Sequence, residues 1–162
     1  MADTLSTTER SRRMSLIRGR DTRPEMSLRR ALHAQGLRYR IHYKKLPGKP
    51  DIVFGPAKVA VLVNGCFWHG HNCADGHIPK SNVEFWRNKI LKNRSRDARN
   101  ITALRKAGWK IVIVWECQLR RKDYLSKKVQ SIISLVLNRR IELQKKQSCK
   151  SIRSRKTPNL PF

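Results

Sequence analysis

Eleven consecutive residues, Val63-Asn64-Gly65-Cys66-Phe67-Trp68-His69-Gly70-His71-Asn72-Cys73, carry two thiols, two imidazoles and two adjacent large aromatic rings. Thiolate sulfur and imidazole nitrogen are the ligand types zinc prefers, and Cys66, His71 and Cys73 are near enough in the chain to fold around one ion. Cys117 offers a fourth ligand, and like Cys66 it directly follows a strongly apolar run. If those two runs are parallel neighbours in a sheet, both cysteines emerge at the same end, where open α/β sheets build their sites. Cys66, His71, Cys73 and Cys117 would then complete a closed Cys₃His set, which holds a loop and leaves no open position for chemistry. The plainer account is a group of unrelated buried thiols and a surface imidazole. The even cysteine count also admits two disulfides, but interspersed histidines in a chain without an export signal read better as metal ligands. Cys149 lies in a polar stretch and reads as a free thiol.

A second chemistry is available at Pro50-Asp51, just ahead of the run Val59–Val63. A hard divalent ion such as Mg²⁺ takes carboxylate, carbonyl and water oxygens, and Asp51 supplies the first of these. Such an ion stabilises charge on a phosphodiester and its leaving oxygen. The following strand holds no acidic residue and no lysine, so a second protein ligand there would be a backbone carbonyl, that of Val63. His69 sits inside the cysteine loop but is not needed to fill four zinc positions. A spared imidazole close to the strand end is a candidate general base for water. The competing readings are a turn aspartate at 51 and, at 69, an exposed loop histidine or a zinc ligand in place of His71. Glu25 could reach the same ion through water, or serve only as the reciprocal partner in a helix capping box.

The aromatic residues fit a polyanionic partner. Lys and Arg total 37 against 11 acidic residues, a formal net charge of +26. A chain so charged repels itself unless a polyanion neutralises it, and nucleic acid is the expected partner. Phe67 and Trp68 in the loop, with Trp86 beyond it, are candidates for a wedge that opens a base step, since stacking on aromatic rings contributes ~1–3 kcal/mol per base. Met14, beside Ile17 in the N-terminal segment, is a candidate apolar wedge of the same kind. The bland readings are core packing for Trp86, a roof over the metal for the Phe67-Trp68 pair, and simple docking for Met14 and Ile17.

These groups need a scaffold, and 162 residues with 39% hydrophobic content suit one domain with its own core. No stretch approaches the ~18 apolar residues of a membrane span. The first residues lack the apolar segment of a signal peptide, so a cytoplasmic location is expected. Residues 1–20 are arginine-rich and read as a marginal helix that orders on a partner. Thr22-Arg23-Pro24-Glu25 opens a helix with an apolar stripe at Leu28, Ala31 and Leu32, stopped by Gly36. Leu37–Tyr43 alternates as a half-buried strand, Asp51–Phe54 is a second strand, and Val59–Val63 a central buried third. Ser81-Asn82-Val83-Glu84 reads as a capping box opening a helix to about Ala107. Trp109–Trp115 is the clearest strand, and a last helix spans about Asp123–Ile141. From Gln144 onward six basic residues and no acidic ones suggest a disordered basic tail. The order of elements gives an α/β fold, a mixed sheet with helices on its faces. We divide the chain into an arm (1–20), a main domain (21–142) and a tail (143–162).

At this point the chain resembles a known family, the very-short-patch-repair (Vsr) DNA mismatch endonucleases. The resemblance rests on Thr22-Arg23-Pro24-Glu25, Leu46-Pro47-Gly48-Lys49-Pro50-Asp51, Gly65-Cys66-Phe67-Trp68-His69, Glu84-Phe85-Trp86 and Ile113-Val114-Trp115-Glu116-Cys117, in the family's order. It implies a restriction-endonuclease-like fold with a structural Zn²⁺. It also implies Mg²⁺-dependent nicking of one strand 5′ to the mispaired thymine of a T·G mismatch, the lesion left by deaminated 5-methylcytosine. Carried over by motif, Asp51 resembles the metal carboxylate, His69 the general base and Glu25 an outer carboxylate. Cys66, His71, Cys73 and Cys117 resemble the zinc set. Phe67, Trp68 and Trp86 resemble the wedge, with the N-terminal helix carrying Met14 in the opposite groove. The resemblance further implies double-stranded DNA as partner, functional association with a cytosine-5 DNA methyltransferase, contact with mismatch-repair proteins, a monomer and a nucleoid location. Some members carry threonine and histidine where this chain has Val63 and Asn64, so side-chain help from those positions is lost here. Two other functions fit the same residues: a non-catalytic zinc-stabilised nucleic-acid-binding module, and a related nuclease acting on unmismatched DNA.

Overall fold

The two apolar runs that precede Cys66 and Cys117 lie side by side as parallel strands. In the computed structural model, which describes residues 6–16 and 19–154, β3 (Val59–Asn64) pairs with β4 (Lys110–Trp115) in the register Val59↔Lys110 to Asn64↔Trp115. On its other edge β3 pairs antiparallel with β2 (Ile52–Phe54), and β2 with β1 (Arg40–Ile41), so the sheet order is β1-β2-β3-β4. A parallel pair cannot be closed by a hairpin. The required crossover is the cysteine loop followed by α3 (Val83–Lys106), which packs on β4.

Ile52, Phe54, Val59, Val61 and Val114 point into one core with Leu28 and Leu32 of α2 (Arg23–Ala34) and Val129, Ile132 and Val136 of α5 (Lys122–Ser154). All lie at strand or helix spacing, so one face of each element is apolar and the packing follows. Val53 and Ala60, on the alternate positions, are buried too, as expected of strands covered on both faces. No described helix is long and apolar enough to cross a membrane.

The structure departs from the sequence reading in four places. The strand expected over Leu37–Tyr43 is only two residues long. His42 ends it in a left-handed conformation (φ 45°), and Tyr39 leaves the ladder to donate its hydroxyl to Arg29 O at 2.8 Å. At the start of α3 the N-cap position falls on Asn82, which is left-handed (φ 52°) and makes no side-chain cap bond of its own, so the helix begins one residue later than the Ser81 cap read from the sequence. A one-turn helix, α4 (Glu116–Leu119), was not foreseen. Lastly, α5 runs to Ser154, through the stretch read as a disordered tail. No Pro or Gly interrupts residues 122–154, and basic residues near a helix C-terminus suit its dipole. Residues 155–162 and the side chain of Cys149 lie outside the described residues, as does Ile17.

The arm contains α1 (Thr7–Ser15), opened by a reciprocal cap: Ser6 Oγ accepts from Glu9 N at 3.2 Å while Glu9 Oε2 accepts from Ser6 N at 3.0 Å.

Candidate active site and metal cluster

Because β3 and β4 are parallel, their C-terminal ends deliver Cys66 and Cys117 to one place. The turn after β3 is wound tightly by His71 N–H to Cys66 O (2.9 Å) and Cys73 N–H to His71 O (2.9 Å). That winding requires glycine at two points. Gly70 is left-handed (φ 61°) and a Cβ there would sit 2.8 Å from Ile90, while a Cβ on Gly76 would collide with His71 O. The result brings one ligand atom from each of Cys66, His71, Cys73 and Cys117 within 4.8 Å of all the others. Cys117 Sγ lies 3.5 Å from His71 Nδ1. Ligands at ~2.1–2.3 Å around a tetrahedral Zn²⁺ are separated by roughly 3.5–3.8 Å, so the donor set and spacing fit such an ion. Burial pushes the Cys66 thiol up to about 12 and raises Cys117 as well. Burial acts upward on Cys73 too, but backbone N–H groups of Asp75 and Gly76 and the other two thiols outweigh it, leaving Cys73 below the ordinary thiol range. Trp115 stacks on His71 at 4.2 Å and 12°. Sequence reading missed this ring, which covers the ligand from the strand side.

The same loop presents His69 to a cleft of about 860 Å³ whose walls include Glu25, Asp51, Val63, Trp68, His69 and Asp97. His69 and Asp51 therefore share one cavity. Asp51 precedes β2, and its Oδ2 accepts the Val63 N–H at 2.7 Å. Burial raises the Asp51 carboxyl above its usual range, the Val63 bond opposes the rise, and the nearby negative charge of Glu25 adds to it. Two carboxylates in partial burial with oxygen donors are the setting of a hard divalent cation, and Asp51 and Val63 both line the space where one would sit.

His69 Nδ1 donates to Asp97 Oδ2 at 2.5 Å, which leaves the lone pair on Nε2. Asp97 was not found from the sequence. It lies 28 residues away on α3, between Arg96 and Arg99, and there it reads as an ordinary solvated helix charge. Asn93 of the same helix donates to Trp68 O at 2.9 Å, a second tie between α3 and the loop.

Glu25 makes cap contacts close to the capping reading and also lies on the cleft wall. Its Oε1 accepts from Thr22 Oγ1 (2.9 Å) and its Oε2 from Asp21 N–H (3.2 Å), one residue earlier than a standard capping box. Phe67, Trp68 and Trp86 form one edge-to-face cluster, with centroids 5.0–6.2 Å apart. Phe85, 59% exposed, joins it through Trp86, though the sequence reading gave it no part in the wedge. Met14 also lines the cleft.

The family described as DNA mismatch endonuclease Vsr matches residues 2–75. A type II nicking enzyme of Neisseria meningitidis serogroup A is 45% identical over 133 residues, 82% of this chain and 95% of that protein. A type II nicking enzyme of Xanthomonas oryzae is 44% identical over 133 residues, covering 82% and 98%. The DNA mismatch endonuclease Vsr of Escherichia coli is 42% identical over 126 residues, covering 78% and 81%. By name these relatives are DNA-cutting enzymes, nicking or mismatch-directed. This chain belongs to the Vsr DNA mismatch endonuclease family.

Proposed function

We propose that the chain is a strand-specific endonuclease that nicks duplex DNA 5′ to the mispaired thymine of a T·G mismatch, with Mg²⁺ at Asp51 and structural Zn²⁺ at Cys66, His71, Cys73 and Cys117. The observation that carries the reading is the shared cleft of Asp51 and His69, with the imidazole held by Asp97. Bound at Asp51 and the Val63 carbonyl, Mg²⁺ would supply charge neutralisation at the phosphodiester. His69 Nε2 takes the proton of the attacking water while Asp97 steadies the imidazolium that results. The water oxygen bonds to phosphorus as the bond to the leaving nucleotide oxygen breaks. Glu25 acts at one remove, through its charge and through water. Phe67, Trp68 and Trp86 enter the duplex from one groove, and the arm carrying Met14 grips the other.

The mixed sheet with its carboxylate at the mouth of β2 supports a restriction-endonuclease-like fold. We place the enzyme in the bacterial cytoplasm on the nucleoid, as a monomer working beside a cytosine-5 methyltransferase and mismatch-repair proteins. The test is a strand-specific nicking assay over all mismatches and a matched duplex, with and without Mg²⁺. T·G cleavage that requires Mg²⁺ and vanishes in Asp51→Ala is the expected result. Cleavage of matched duplex at equal rate would make it a nuclease of another specificity, and mismatch binding without cleavage a non-catalytic binding module.

A further inference from the structure

Arg29 stands outside the proposed chemistry, yet it is the most heavily engaged buried cation among the described residues. It is 5% exposed on α2. Nη1 donates to Asp21 Oδ1 at 2.5 Å, and Nη2 donates to Glu25 Oε2 at 2.7 Å and to His42 Nε2 at 3.1 Å. The same ring nitrogen lies 3.3 Å from Asp21 Oδ1, a bond it makes only when it carries the hydrogen, in place of accepting from Arg29. Asp21, Glu25 and His42 come within 4.8 Å of one another like metal ligands, but the guanidinium already occupies that role.

The partners differ in what they are attached to. Asp21 is the point where the arm, with Met14 and Gly19 on one cleft wall, joins α2. His42 begins the loop whose Pro47, Gly48 and Lys49 line the cleft before Asp51. Both residues hold left-handed backbones, φ 53° at Asp21 and 45° at His42, which non-glycine residues adopt at a cost. Two strained junctions thus end on one side chain. A guanidinium serving only to neutralise Glu25 needs neither.

Resting on the nuclease reading above, we propose that Arg29 is a positioning residue that sets the mouth of the DNA cleft. Through Asp21 it fixes where the arm leaves the core. Through His42 it fixes the loop leading to Asp51, and its bond to Glu25 aims that carboxylate into the cleft.

The test uses the full chain and four variants. Glycine accepts a left-handed backbone, so Asp21→Gly and His42→Gly remove a contact without adding strain. Each is expected to raise KM for a T·G duplex roughly tenfold with kcat within about twofold, and Asp21→Gly to speed tryptic cleavage after Arg20 about tenfold. Arg29→Met raises KM equally and lowers kcat as well, because Glu25 is released. Arg29→Lys, which can keep only a point contact with Glu25, recovers kcat but not KM. The proposal is overturned if Asp21→Gly and His42→Gly keep wild-type KM and proteolysis while Arg29→Met merely lowers Tm. Should wild type fail to nick at all, the nuclease reading falls, and duplex affinity with arm proteolysis still decides the role of Arg29.

Discussion

The Cys66–His71–Cys73–Cys117 group and the Asp21–Glu25–His42 group meet the same proximity condition, one ligand atom each within 4.8 Å, and each feeds one residue into the cleft. The sulfur group positions His69 and the oxygen group positions Glu25. Electrically they are opposites. The oxygen group encloses the protein's own cation, Arg29. Among the described residues no guanidinium or ammonium bonds to the sulfur atoms, and the thiols face one another and an imidazole. Proximity of ligand types therefore says little until the source of the balancing charge is known. Where the fold supplies it the cluster is a clasp, and where it does not the cluster is a candidate metal site.

That contrast breaks most readily at the sulfur group. On the proposed zinc reading, stripping the metal with a strong chelator, or Cys66→Ser, should lower Tm by about 10 °C or more and abolish nicking, because the loop carrying His69 loses its anchor. The same chelator should leave the Asp21–Arg29 clasp intact, so arm proteolysis at Arg20 in the clasp variants serves as the internal control. A metal analysis showing one zinc in wild type and in Arg29→Met alike sharpens the comparison. Zinc lost from Arg29→Met would erase it.

Between the two groups, Asp51→Ala should reduce nicking at least ~10³-fold while mismatch affinity stays within about twofold. His69→Ala follows at roughly 10²–10⁴-fold. Asp97→Asn costs less, about tenfold, read as a kcat effect with KM unchanged. If Asp97→Asn equals wild type, the imidazole does not depend on its partner and the sulfur group alone positions it.

The smallest effect is one of pH. The Arg29 bond, and after it His42, holds the Asp21 carboxyl below the usual carboxylate range. A depressed folded-state acid contributes above its unfolded value and loses that contribution as pH falls through the lowered one. Arm docking should therefore persist through neutral pH and loosen only in strong acid, as the Asp21 carboxylate is protonated. Amide exchange over residues 7–15, corrected for intrinsic rates, would show loosening below pH ~4 and none at pH 6.

Much of this was legible before any coordinates. Cys66 and Cys117 each follow an apolar run, and parallel pairing alone sends both to one end. The Asp51–His69 cleft followed from the same placement. Asp97 was hidden because a lone acid in an arginine-rich helix has no local signature, and its role exists only across 28 residues of sequence. Trp115 looked like the last residue of a strand, and nothing in its neighbours announces a ring laid over His71. The short β1 shows tertiary contacts overriding alternation, with Tyr39 and His42 each drawn to Arg29 and out of the ladder. At the far end the charge run masked a helix. Composition marked residues beyond Gln144 as a disordered basic tail, yet a helix already docked through Val129, Ile132 and Val136 continues to Ser154.

That continuation has a practical side. Arg139 touches Gly108 O where β4 begins, so α5 passes the sheet's rear edge there and residues 144–154 add about 16 Å of rod pointing away from the cleft. A fluorophore or surface tether placed on residues 144–148 would ride on that rod, away from the cleft. One joined ahead of Ser6 travels with Met14, and any label there would report on, or obstruct, the grip itself.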